Sequence, residues 1–225
     1  MTDQDTDGSH IKGLLLNLFD AYWPSLLKCG YIQEFITPIV RVKRKGGRQT
    51  DVLDFYTIPE YQLWLAEHPD TKNYEIQYYK GLGSSDKSEA SEYFKKISTN
   101  KKPFVVDETY SARLNVAFNK KLADKRKEWL RGADPNAYLD NNQQSIKISE
   151  FVDKELVLYE LENVQRSIPS MIDGMKPSQR KILYGCFKRK LHSPIKVAQL
   201  SGYVSEHAAY HHGEASLNSA IVNLA

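Results

Sequence analysis

Residues 1–27 read MTDQDTDGSHIKGLLLNLFDAYWPSLL, and the two halves of this stretch carry different signals. Asp3, Asp5 and Asp7 recur at every second position. In an extended chain alternate side chains point the same way, so Asp3 and Asp5 at a strand end can converge on one cation. Hard carboxylate oxygens suit Mg²⁺, which keeps several waters and takes one or two carboxylates together with phosphate oxygens. A calcium loop fails as an explanation because no glutamate stands at its twelfth position. A plain solvated acidic turn stays open on pattern alone. In the second half, Asp7-Gly8-Ser9 is a turn and cap signal. Ile11, Leu14, Leu15, Leu18, Phe19 and Tyr22 then follow at helical spacing and predict a helix to about Leu27, closed by Gly30.

Outward from this stretch the chain alternates strand and helix. Residues 31–43 (YIQEFITPIVRVK) are β-rich, with Pro38 marking an edge or a bend. Gly46-Gly47 turns the chain into a strand over Val52–Thr57, and Pro59 suits the first turn of a helix through Glu67. Tyr74–Tyr79 predicts another strand, which enters the glycine loop Lys80-Gly81-Leu82-Gly83. A helix capped by Ser84 or Ser85 reaches about Lys96. A short strand at Phe104–Asp107 precedes a long polar helix over Thr109–Leu130, stopped by Gly132. Residues 133–145 (ADPNAYLDNNQQS) read as a linker. Beyond them the spacing predicts consecutive helices at 150–163, 177–190, 196–207 and 214–224. The fold class is therefore α/β followed by a mainly α part.

Composition sets bounds on function. The 225 residues carry 31 Lys+Arg against 28 Asp+Glu, and 41% are hydrophobic. This excludes a disordered tail, a collagen-like fibre and a disulfide scaffold, and it argues against a simple electrostatic coating of DNA. Cys29 and Cys186 lie far apart in no metal-ligand spacing and read as reduced, buried thiols of an intracellular protein. No run reaches the roughly 20 apolar residues of a membrane span, and the acidic start is unlike a secretory signal. The small net charge conceals separation. Asp3, Asp5 and Asp7 oppose three basic runs, at 41–48 (RVKRKGGR), 120–131 and 164–190. One basic run is usually a solvated face; three beside an acidic cluster point to a polyanion and a metal.

Longer blocks then resemble one family in order. MTDQDTDGSHIKGLLLNLFDAYWPSLL is similar to the DxDxDG segment of the TOPRIM domain of type II DNA topoisomerases. EFITPIV, YYKGLGSSDKSEASEYF and RKEWL follow in the family's order. RSIPSMIDGMKPSQRKILYGCFKR and KVAQLSGYVSEHAAYHHGEASL continue it. The resemblance is to the eukaryotic-type enzyme and its relatives in large DNA viruses, in which the TOPRIM and breakage parts share one polypeptide. A primase- or nuclease-like TOPRIM enzyme would share the acidic cluster but not the last two blocks.

The resemblance implies the C-terminal part of a TOPRIM domain over 1–45. A connecting α+β region with the KGLG loop and linker would cover 46–148, and the start of a winged-helix (helix-turn-helix) breakage-reunion domain 149–225. Asp3 and Asp5 would be Mg²⁺ ligands, with Asp7 an alternative or supporting one; Mn²⁺ or Ca²⁺ are other divalent choices. Lys80, Arg166, Lys176, Arg180, Lys181, His211 and His212 would contact double-stranded DNA. His212 would position the scissile phosphate, and Asp173 would orient a basic neighbour. Tyr184, Tyr203 and Tyr210 do not match the position of the nucleophilic tyrosine, which together with the ATP-hydrolysing region is expected outside these residues. The implied enzyme is an ATP-dependent homodimer with no membrane partner, resident in the nucleus, or in host-cell cytoplasm if viral. The competing class is a non-catalytic DNA-binding module.

Overall fold

The computed structural model describes residues 5–46, 52–79, 87–134, 137–140, 143–210 and 212–225. The chain divides into two compact units, Met1–Glu160 and Leu161–Ala225.

In the first unit, α1 (Thr6–Tyr22) begins where Asp5, extended at φ −106° and ψ 177°, accepts the Gly8 amide on its side chain. The predicted single helix to Leu27 is in fact two. Pro24 disfavours helical geometry at Trp23 and opens α2 (Pro24–Lys28) as its first residue. The α1 face that is buried is also not the leucine stripe. Ser9, Lys12, Gly13 and Leu16 are buried, whereas Ile11, Leu14, Leu15 and Leu18 remain between 41% and 48% exposed. Gly13 permits this approach, because a Cβ there would stand 3.0 Å from Phe118 Cζ and 3.1 Å from Leu156 Cδ1.

Two three-stranded sheets follow. One has the order β1-β5-β6, formed by Gln33–Phe35, Lys101–Val105 and Ile146–Lys147. β1 runs antiparallel to β5, with Gln33 opposite Pro103, and β6 runs parallel to it, with Phe104 opposite Ile146. The other has the order β3-β2-β4, formed by Val52–Phe55, Val40–Arg44 and Tyr74–Tyr78, all antiparallel. α3 (Ile58–Glu67), capped by Thr57, lays Tyr61 and Trp64 on that sheet against Val40, Val42 and Phe55. α4 (Lys87–Lys95) and α5 (Ile97–Asn100) lead into β5.

The long polar helix predicted over 109–130 is interrupted. α6 (Tyr110–Phe118) stops at Asn119, whose side chain accepts the Lys121 amide at 3.0 Å and opens a 3-10 turn before α7 (Ala123–Arg131). After β6, α8 (Ile148–Phe151) passes through a π-helical turn at Val152–Leu156 into α9 (Val157–Ser167). Ile148, Phe151, Val152 and Leu156 join Leu16, Leu27, Phe104 and Leu114 in one core. That packing explains why the two units divide at Glu160 and not at 148, where the linker and the change of character suggested a boundary.

The second unit holds α10 (Pro177–Lys188), α11 (Val197–His207) and α12 (Glu214–Leu224) around Ile182, Leu200, Val204, Tyr210, Leu217 and Ile221. Its described residues contain no strand. Cys29 is exposed and Cys186 half-buried, both free, so Cys29 departs from the expected buried thiol. Among the described residues, no helix is long and apolar enough to cross a membrane.

Candidate metal centre and nucleic-acid interface

Asp3 lies outside the described residues, so the acidic cluster is seen from Asp5 onward. Asp5 is exposed and caps α1, its Oδ1 accepting from the Gly8 amide at 2.8 Å. The helix starts at Thr6, so Asp7 sits in the first helical turn and leaves the strand-like alternation with Asp5. Their carboxylates oppose the positive end of the helix macrodipole, which uses part of their charge. Among the described residues, no group of three or more His, Cys, Asp or Glu is placed to hold a metal. Two hard carboxylates two residues apart do fit, in donor chemistry, a cation that keeps most of its water.

Behind this turn is a buried ionic cluster that the sequence-based expectations did not include. Lys12 Nζ contacts Glu34 Oε1 at 2.6 Å and also pairs with Glu155 Oε1. Ser9 Oγ donates to the same Glu155 oxygen at 2.6 Å. Burial is the largest influence on Lys12 and pulls its pKa down, but Glu155 and Glu34 together hold it above its ordinary value. An ammonium neighbour by itself would lower the pKa of Glu34, yet Glu34 is pushed up, first by burial and then by Glu155. One ammonium shared between two carboxylates does not offset the burial of both.

The basic run at 41–48 proves mixed in character. Arg41 is 3% exposed and bound within the β-sheet unit, so it is withdrawn from any surface contact. Tyr79 donates to Glu89 Oε1 at 2.5 Å beside it, and its pKa is pushed up first by burial and next by that carboxylate. Lys80, the next residue, lies outside the described residues.

In the second unit the loop before α10 folds on itself. Asp173 Oδ1 accepts the Met175 amide at 3.0 Å, and Gly174 adopts φ +70°. Asp173 then receives Arg180 in a two-point contact, Nε to Oδ2 at 2.9 Å and Nη2 to Oδ1 at 3.0 Å. The Met175 amide, and after it Arg180, hold the Asp173 carboxyl below the usual carboxylate range. Lys176 caps α10, and its amide donates to Gln179 Oε1 at 2.9 Å. One residue beyond Arg180, Lys181 Nζ donates to the Ala209 carbonyl at 2.8 Å, in the turn after α11. Ala209 holds φ +47°, a left-handed value costly for an alanine. Next to it Tyr210 is buried, and the exposed His212 meets its ring edge-on at 5.4 Å.

The start of α10 therefore joins two loops, with Arg180 tied to one and Lys181 to the other. Lys176, Arg180, Lys181 and His212 are gathered around them. Arg166 stands in the last turn of α9, half-buried, and His211 lies outside the described residues.

Residues 35–164 match the family model described as the C-terminal associated domain of TOPRIM, and residues 166–225 match that of DNA gyrase/topoisomerase IV. The chain belongs to the type II DNA topoisomerase family. Over its whole length it is 50% identical to DNA topoisomerase 2 of Meyerozyma guilliermondii, covering 16% of that relative. It is likewise 50% identical to DNA topoisomerase 2 of Arabidopsis thaliana, covering 15%. All of it superposes, at 46% identity and a TM-score of 0.80, on 30% of the chain in the crystal structure of the Plasmodium falciparum topoisomerase II DNA-binding, cleavage and re-ligation domain. The chain thus spans about one sixth of the curated topoisomerases it resembles. Arg166, Lys176, Arg180, Lys181 and His212 all fall within the gyrase/topoisomerase IV match, whereas Asp5 and Asp7 precede the TOPRIM-associated one.

Proposed function

We propose that this chain is the segment of an ATP-dependent type II DNA topoisomerase that links a divalent metal centre to a DNA-gripping helical unit. The parent enzyme makes a transient double-strand break, passes a second duplex through it and reseals it. The supporting observation is the order of parts: a TOPRIM-associated region runs through α9 into a gyrase/topoisomerase IV region on one polypeptide.

In this reading Asp3, Asp5 and Asp7 hold Mg²⁺, or another divalent ion such as Mn²⁺. Bound there, the ion supplies Lewis-acid stabilisation of charge developing on the scissile phosphate and its 3′-oxygen. The chain's own groups bind and orient the duplex. Lys80, Arg166, Lys176, Arg180, Lys181 and His211 contact phosphates, and His212 positions the scissile one. Arg180 is well suited to this, because its pairing with Asp173 fixes the planar guanidinium before DNA arrives. The enzyme works as a homodimer in the nucleus, or in host cytoplasm for a viral bearer.

The test is duplex binding by the chain between about 50 and 200 mM salt. R180Q/K181Q should weaken affinity and make the slope of log K against log salt less negative, by about 1 for each phosphate no longer neutralised. An unchanged slope removes α10 from the DNA face.

A further inference from the structure

Three contacts fasten the first turns of α1 to the helical run that follows β6. Glu155 Oε1 accepts from Ser9 Oγ and pairs with Lys12 Nζ, while His10 stacks on Tyr159 with centroids 4.1 Å apart and planes 7° from parallel. Ser9 Oγ also lies 3.2 Å from the carbonyl oxygen of Asp5. The influence of Glu155 thus reaches the backbone of the capping aspartate itself.

The π-helical turn at Val152–Leu156 is what delivers Glu155 to this position. The extra residue in the turn shifts the helical faces. Val152, Leu156 and Val157 all stay buried in the first unit while Glu155, among them in sequence, turns its carboxylate toward α1. Such turns occur mostly at functional sites. A core purpose alone explains the cluster poorly. Lys12 and Ser9 are only 8% and 5% exposed, and well-packed apolar side chains of similar volume would commonly hold two helices at least as firmly as a buried ion cluster.

We infer that Glu155 is a positioning residue for the acidic turn. Through Ser9 and Lys12 it fixes the first turn of α1, and so the direction in which Asp5 and Asp7 present their carboxylates to a divalent cation. The inference rests on the proposal that those two aspartates hold the ion. Groups that orient metal ligands without touching the metal commonly change its affinity by about 10- to 100-fold when removed.

The experiment is Mn²⁺ binding, read by electron paramagnetic resonance, in the full-length protein without DNA or nucleotide. E155A should weaken Mn²⁺ binding about tenfold. E155Q should recover most of that loss, because its amide oxygen still accepts from Ser9 and Lys12. S9A, which deletes one hydrogen bond and strands no charge, should shift affinity the same way by less, and it serves if E155A fails to fold. The inference is overturned if D5A abolishes Mn²⁺ binding while folded E155A, or S9A in its place, binds as the unsubstituted protein does. If D5A itself binds Mn²⁺ normally, the metal assignment fails first.

Discussion

Arg41 and Asp54 stand directly opposite each other across β2 and β3, and their side chains meet in a two-point contact, Nε to Oδ1 at 2.6 Å and Nη2 to Oδ2 at 2.8 Å. Glu92 and Glu89 flank the remaining nitrogen at 3.3 and 3.7 Å. The Asp54 hydrogen bonds are the largest influence on Arg41 and raise its pKa against the pull of burial. D54N should therefore cost about 3 kcal/mol, the lower end for breaking a buried pair, because two carboxylates still face the guanidinium. R41M, which strands three carboxylates together, should cost more. Urea unfolding followed by hydrogen exchange in β2–β4 measures both, and an R41M protein of undiminished stability would refute the pairing.

That pair also marks the limit of what the sequence made legible. Asp51 and Asp54 follow the basic run at 41–48 closely, but nothing local says that one arginine of the run turns inward across a hairpin. Helix positions were readable because caps and prolines act within a turn: Thr57 before α3 and Pro177 at the start of α10 are local signals. The break at Asn119 and the two-residue strand β6 were not readable, one depending on a side-chain bond that competes with the helix and the other being too short to show a period. The acidic turn and the basic residues of α10 stood out as motifs. Glu155 did not, since its partner Ser9 is 146 residues away and a π turn hides it from 3.6-residue periodicity.

The cluster behind α1 predicts unequal responses to removing its members. E34Q deletes a carboxylate that burial and Glu155 already disfavour, and leaves Lys12 and Glu155 as a one-to-one pair. Its stability at pH 7 should lie within about 1 kcal/mol of the unsubstituted chain, on the stabilising side, whereas K12M strands two carboxylates and should cost about 3–5 kcal/mol. The pH dependence follows from the raised pKa of Glu34. Between about 4.3, the ordinary glutamate value, and the higher folded one, the native state binds more protons than the unfolded. Stability from this group is complete below that window and is lost as pH rises through it. E34Q should flatten this decline in thermal melting points measured across the acidic range, and an identical decline in E34Q would sink the assignment.

Two glycines in the helical unit should respond oppositely to the same substitution. Gly185 in α10 faces α11 so closely that an added Cβ would stand 2.7 Å from Val204 Cγ2. Val204 is fully buried and β-branched, so its methyl has little freedom to withdraw. Overpacking of this kind costs about 1–3 kcal/mol, against a gain of up to about 1 kcal/mol for alanine over glycine inside a helix. G185A should therefore destabilise the unit by about 1–2 kcal/mol. Gly202, in the middle of α11, has nothing within 4 Å of its added Cβ. There only the backbone term remains, and G202A should stabilise by about 0.5–1 kcal/mol. Hydrogen exchange of α10–α12 amides in both variants measures the difference. Equal shifts of the same sign would mean that α10 and α11 do not approach each other closely at Gly185.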